Sequence, residues 1–250
     1  MSGKKKTADN TQGTGKKKAT DNTQGNGEKK TADKVQNTGE KKTADNAQDT
    51  EEKSKNVKAE VLGWVEAIAL AVILALFIDN FIIINATIPS GSMEKTIMTG
   101  DRVLGLRFSY WFKDPQRGDI VVFKYPIDEA LGENTKFIKR IIGLPGEKVE
   151  IKDGAVYING EKLEEDYING TWVVENDGYV FEVPEDHYLM LGDNRNNSSD
   201  ARYWSDIAIR EGITNDLEEA YSYSFVDRKK ILGKAFFCYW PFKDFGSLYD

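Results

Sequence analysis

The sequence predicts a mainly β protein: an antiparallel β body behind one membrane-crossing helix and a disordered repeat tail. Three observations carry that expectation. Residues 1–56 repeat a polar unit that has almost nothing apolar to bury; an uncharged apolar run follows; and from Pro89 onward short β-branched and aromatic runs alternate with Asx-Gly pairs.

The tail opens with four copies of a twelve-residue unit, starting at Gly3, Gly15, Gly27 and Gly39, the last reading GEKKTADNAQDT. Such units cannot offset the entropy of folding, and their period is shorter than the roughly 20–50 residues of stacked repeats. Residues 1–56 are therefore expected to be a solvated, disordered spacer.

Next comes the span, expected within residues 57–86. Its uncharged centre, Ala67–Ile78, is bounded by Glu66 and Asp79, and flanking apolar residues from Val61 to Ile84 extend it. That reaches the roughly 20 residues a bilayer-crossing helix needs. Lys53, Lys55 and Lys58 precede it, and no Lys or Arg follows until Lys95. The positive-inside rule then places the N-terminus in the cytoplasm and the body outside, in a single-pass cell-membrane protein. A cleavable signal is disfavoured, because the run begins far from the N-terminus.

Residues 87–250 are expected to form the β body, with strands at Ile120–Tyr125, Lys136–Ile142, Val149–Lys152, Ala155–Ile158, Tyr179–Val183 and Tyr188–Leu191. Asp153-Gly154, Asn159-Gly160, Asn169-Gly170 and Asp177-Gly178 read as tight turns between them. Helical periodicity is confined to Ser92–Met98 and a piece around residues 206–220. Residues 1–60 hold 14 Lys against 10 Asp and Glu (+4), which leaves the remainder at −11 of the total −7. An acidic body argues against nucleic acid as a partner. One Cys and one His make a zinc site improbable, and Cys238 has no second cysteine to pair with.

Thr87–Val103, TIPSGSMEKTIMTGDRV, offers Ser90 and Ser92 around a glycine as the chain leaves the span. A serine nucleophile needs a base within hydrogen-bond reach. The single histidine, His187, lies in a strand-like run ending at Gly192-Asp193, where a partly exposed strand position suits it. Period-two alternation sets Phe137, Lys139 and Ile141 on one face of the 136–142 run and Ile138, Arg140 and Ile142 on the other. Arg140 keeps its proton, so once buried it needs a carboxylate or an escape to solvent. Lys139 can lose its proton on desolvation and serve as the base. The alternative is a lysine that snorkels from the sheet edge to water.

Four blocks, IPSGSMEKTIMTGDRV (88–103), RGDIVVF (117–123), FIKRIIGLPGE (137–147) and GDNRNNSSDARYW (192–204), occur in this order. With the apolar span and the GKA at 233–235, they make residues 60–243 resemble the bacterial type I signal peptidases, membrane-bound proteases with a Ser–Lys dyad. The resemblance implies a catalytic β core with a smaller inserted β subdomain at about 150–186. It implies Ser92 as nucleophile, Lys139 as general base, and Ser90 with the Ser92 N–H as the oxyanion hole. Ser198 would hydrogen-bond and orient the lysine amine, Asp200 and Arg202 would form a supporting ion pair, and Asp193 would be a further supporting carboxylate. Ile88, Pro89, Met93, Ile97 and Ile138 match positions that line shallow pockets for small side chains. The implied substrates are signal-peptide-bearing preproteins, cut at the bilayer without metal or cofactor.

Three departures stand out. Lys95 occupies a usual proline position, Ala201 a usual serine position, and SDIAIREGITNDLEEAYSYS (205–224) replaces what is ordinarily a glycine or so. Two other functions compete. A Ser–Lys self-cleaving repressor would need a basic helix-turn-helix, which the sequence lacks. A non-catalytic, signal-peptidase-like assembly or chaperone protein would keep the β body without turnover.

Overall fold

The structure is a computed structural model that describes residues 39–249. The chain divides into two compact units, residues 1–61 and 62–250. A single helix, α1 (Gly39–Phe77), runs from the first into the second, and a wide turn at Ile78–Ile82 ends it. The second half of α1 together with that wide turn, Lys55–Ile82, is long and apolar enough to cross a membrane once, with none of its apolar window buried against protein. Residues 39–56 are thus helical, although the sequence reading places them in the disordered tail. Their Ala, Glu and Lys content lets the span's helix continue backward without a breaker. Residues 1–38 lie outside the described residues.

The end of the apolar run is strand, where membrane helix was expected. Ile83–Thr87 (β1) pairs antiparallel with Arg102–Leu106 (β2), matching Ile83 to Leu106 and Thr87 to Arg102. Ile82–Ile84 are β-branched and suit a half-buried pleat as well as lipid. β1 runs from the end of the span to the turn that carries Ser92.

Six further strands complete the body's larger sheet: β3 (Ile120–Lys124), β4 (Lys136–Gly143), β9 (His187–Leu191), β10 (Val226–Asp227) and β11 (Ile231–Trp240), with β12 (Gly246–Ser247) on β11. Counting β1 and β2, the order is β1-β2-β11-β3-β4-β9-β10, and every pairing is antiparallel. β4 therefore lies inside the sheet, between β3 and β9. A second antiparallel sheet, in the order β7-β6-β5-β8, is built from β5 (Lys148–Lys152), β6 (Ala155–Ile158), β7 (Glu161–Lys162) and β8 (Tyr179–Glu182). Asp153-Gly154 and Asn159-Gly160 make its tight turns, with positive φ at all four residues. Asn169-Gly170 and Asp177-Gly178 do not close hairpins; they bend the long connection between β7 and β8.

The alternation on β3 feeds two apolar cores. Val121 and Phe123 enter the larger cluster with Leu191 and Trp204; Ile120 and Val122 join Ile88, Met93, Ile97 and Ile138 in the smaller. On β4 the strict alternation fails. A register shift against β9 between Ile141 and Gly143 turns both Ile141 and Ile142 into the larger core, where Ile142 was expected to share a face with Ile138 and Arg140.

The 205–224 stretch is largely helical, as part of α3 (Ala201–Arg210) and as α4 (Leu217–Ser222). Asp200 caps α3 by accepting the Arg202 N–H, and Asp216 caps α4 by accepting from Glu218 and Glu219. Ala201, Trp204 and Ala208, at helical spacing, are the buried apolar face of α3. Trp204 is fully buried, with ring centroids 5.7 Å from Tyr125 and 6.0 Å from Phe123.

Candidate active site

Ser92 sits in a one-turn 3₁₀ segment, Gly91–Met93, directly after β1 and Ile88-Pro89-Ser90. Its hydroxyl is buried beside Lys139 of β4, and the Lys139 ammonium Nζ donates to Ser92 Oγ at 2.8 Å. Nζ also donates to Ile138 O at 3.0 Å. Lys139 is only 4% exposed, so the snorkelling alternative does not describe it. Burial lowers its pKa to about 8, while the Asp200 and Asp193 carboxylates pull it part of the way back. Near that pH a large share of the side chain is free amine, whose lone pair can accept the Ser92 proton.

The scaffold beneath the pair is ionic and buried. Arg140 finds the carboxylate its burial requires: Nε donates to Asp193 Oδ1 at 2.8 Å and Nη2 to Oδ2 at 2.6 Å, with Nη1 on Gly118 O at 2.8 Å. Thr96 Oγ1 donates to Asp193 Oδ2 at 2.6 Å, so the same carboxylate ties the segment after Ser92 to β4. Asp200 and Arg202 form a second bidentate pair, 2.8 and 2.9 Å, both side chains fully buried. Asp200 Oδ2 also accepts the Gly192 N–H at 3.1 Å. A Cβ at residue 192 would collide with Ser198 Oγ and Ser92 O, so glycine alone lets this loop approach the nucleophile.

Ser90 is exposed at the mouth of a cleft of about 480 Å³, which Ser92, Lys139, Ile88, Pro89 and Ile138 also line. Met93 and Ile97, expected in the pocket wall, are instead wholly inside the smaller core. They support the wall from behind, since an apolar residue in this block suits either place. Ser198 departs from expectation too. Its Oγ is buried without a hydrogen-bond partner, and the Lys139 amine spends its second bond on Ile138 O. His187 opens β9, opposite Asp227 of β10, and is not among the cleft residues. Among the described residues no group of three His, Cys, Asp or Glu side chains could hold a metal ion.

Several contacts went unforeseen. Asn194 Nδ2 donates to Gly91 O at 2.9 Å, and the Asn194 N–H donates to Ser92 O at 3.1 Å. Arg195 pairs with Glu165, and Asn196 accepts the Val173 and Val174 N–H groups at 2.8 and 3.0 Å. The Arg195 and Asn196 bonds fasten the connection between β7 and β8 to the 192–204 loop, and those of Asn194 fasten that loop to the Ser92 turn. Their partners lie some 22 to 103 residues apart in the chain, so no local pattern marks them. Lys95 has φ +86°, a conformation that the proline usual at this position cannot adopt, and its ammonium donates to Asp166 O. The turn after Ser92 therefore differs in path from the proline version instead of being merely looser.

A buried serine–lysine pair at the end of a cleft in a β body defines a hydrolase that needs no histidine. The relatives make that class specific. The family described as signal peptidase, peptidase S26, matches residues 61–240. Probable signal peptidase I-2 of Synechocystis sp. is 43% identical over 192 residues, covering 75% of this chain and 78% of the relative. Signal peptidase I of Leptolyngbya laminosa is 40% identical over 193 residues, covering 74% and 82%. The crystal structure of a signal peptidase I from Enterococcus faecalis V583 is 34% identical and covers 49% of this chain and 97% of its own, with a TM-score of 0.35. The chain belongs to the signal peptidase S26 family. It is a membrane-bound serine endopeptidase of the signal peptidase I type that acts through a Ser–Lys dyad.

Proposed function

We propose that this chain removes signal peptides from exported preproteins, with Ser92 as nucleophile and Lys139 as general base. The buried 2.8 Å contact between Ser92 Oγ and Lys139 Nζ carries this reading, because it gives a hydroxyl a base that loses its proton near pH 8, far below an ordinary lysine.

In the reactive form the neutral amine accepts the Ser92 O–H proton as Oγ attacks the scissile carbonyl carbon. The carbonyl π electrons move to oxygen, and the oxyanion takes hydrogen bonds from the Ser92 N–H and the Ser90 O–H. Fixed donors of this kind lower a barrier by roughly 3–4 kcal/mol. The tetrahedral intermediate collapses, the C–N bond breaks, and the Lys139 ammonium returns its proton to the departing amine. Water then attacks the acyl-enzyme, its proton passing to Lys139, and Ser92 leaves with that proton restored.

Asp193 with Arg140 and Asp200 with Arg202 act as supports that hold the two sides of the dyad in register. Ser198 is assigned the lysine-orienting role, which calls for its unpaired hydroxyl to turn onto the amine during the cycle. Ile88, Pro89 and Ile138 form a shallow apolar wall that fits small side chains beside the cut bond, with Met93 and Ile97 packed behind it.

Lys53, Lys55 and Lys58 before the span favour a cytoplasmic N-terminal tail and an extracytoplasmic body at the cell membrane. A preprotein whose own apolar segment lies in the same bilayer is thereby concentrated near the cleft. The test is incubation of the purified full chain with a signal-bearing precursor, followed by the mass of the product. Ser92→Ala and Lys139→Met should each abolish cleavage; full activity in either variant refutes the dyad assignment.

A further inference from the structure

The catalytic cleft does not end at the dyad. Asn197 and Ser199, both exposed, line its far side and also line a second groove of about 460 Å³. The other wall of that groove is the outer face of α3: Tyr203, Asp206, Ile207 and Arg210. Among the described residues the side chains of Asn197, Ser199 and Asp206 make no hydrogen bond or ion pair, whereas Arg210 bonds Glu211 at 3.3 Å. Two hydrogen-bonding side chains are thus shared by the cleft and the groove, and one unpaired carboxylate lines the groove beyond them.

We propose that this α3 groove is an extended subsite for the substrate polypeptide, in which Asp206 receives a basic side chain. This rests on the protease reading above. The occupant is the same chain that fills the cleft, because the grooves share residues and only an extended polypeptide passes from one to the other. Its charge follows from the wall. Two charged side chains line the groove, Asp206 and Arg210, and Arg210 is engaged with Glu211, which leaves the Asp206 carboxylate as the unpaired charge. Asp206 lies five residues beyond the start of α3, about 7–8 Å along the helix, which two or three residues of extended chain cover. The basic position therefore falls a few residues beyond those that contact the dyad. The insertion that departs from the family pattern acquires a purpose as a selectivity wall.

The test uses the full chain in detergent with matched precursor peptides that differ only by Lys or Glu, scanned through positions three to eight on each side of the cut. The readout is the Lys/Glu ratio of kcat/KM within each protein, so differences in overall activity cancel. The unaltered protein should favour Lys about three-fold or more at one or two adjacent positions, the size of an exposed ion pair. Asp206→Asn should bring the ratio near one there, and Asp206→Lys should invert it, with thermal melting confirming the fold of each variant. A ratio near one at every position, or an undiminished ratio in Asp206→Lys, overturns the proposal. If the unaltered protein cleaves no precursor at all, the protease reading itself fails and the subsite falls with it.

Discussion

Asn194 holds the peptide that carries the Ser92 N–H: its side-chain amide donates to Gly91 O at 2.9 Å, and that carbonyl and the Ser92 N–H belong to one rigid peptide plane. Fixing the carbonyl on one side fixes the direction of the N–H on the other. Asn194 is thereby a positioning residue for the oxyanion donor. Asn194→Ala should lower kcat about 10- to 100-fold with little change in KM, because the donor matters most when charge develops on the substrate oxygen. Steady-state kinetics on a precursor peptide check this; a change confined to KM would contradict it.

Activity should rise with pH. Lys139 must be neutral to act, and its pKa of about 8 leaves roughly one molecule in ten active at pH 7 and most of them active by pH 9. The logarithm of kcat/KM should climb with a slope near one below pH 8 and then level off. A flat profile, or one that shifts in a His187→Gln variant, would remove Lys139 from the role of base.

The same burial costs stability. The folded pKa lies below the unfolded value of 10.5, so the unfolded chain holds more protons between about 8 and 10.5. Stability from this group is therefore lowest below pH 8 and recovers as pH rises through that window. Lys139→Met, which removes the charge and keeps the length, should stabilise the protein at pH 7 by on the order of 3 kcal/mol. The gain should shrink toward pH 10.5. Denaturant melts of both proteins at pH 7 and pH 10 measure it.

Lys95→Pro should damage the protein even though it restores the family's usual residue. Proline locks φ near −65°, whereas residue 95 has φ +86°. Forcing the change should cost about 2–3 kcal/mol and shift the adjoining serine turn. Lys95→Gly, which accepts the positive φ, should retain stability to within about 1 kcal/mol. Thermal melting of the two variants side by side distinguishes them.

Several aromatic rings outside the span are exposed, which makes their contact with lipid testable. Phe112 is 94% exposed and Trp111 66%, with Phe242 at 76%, while the neighbouring Tyr110 is buried and donates to Asp119 at 2.9 Å. If the rings reach the headgroup layer, brominated lipids should quench the full chain in vesicles more strongly than its Trp111→Phe variant. Equal quenching would assign these rings to water.

Much of this molecule was legible in its sequence, and the failures share a cause. The runs at 120–124 and 155–158 read correctly because β-branched residues there end at unambiguous turn residues. Ile83–Thr87 was misplaced because isoleucine suits a bilayer and a sheet edge alike, and only the pairing with β2 decides between them. At the site, Ser92 and Lys139 emerged from an ordered set of blocks together with the chemistry of a buried amine. Met93 and Ile97 did not separate from Ile88 and Ile138, since all four are apolar and face direction is a tertiary property. Asn194 and the Arg195–Glu165 pair were hidden because their partners are remote in the chain.

Only ten residue steps separate Ile82, the last residue of the apolar window, from Ser92. At full extension that leash measures no more than about 35 Å, and half of it is committed to a paired strand. The protease therefore carries a ruler. A susceptible bond that lies deep in a folded ectodomain is out of its reach, whatever its local sequence, while one that emerges beside the lipid surface is presented at the right height.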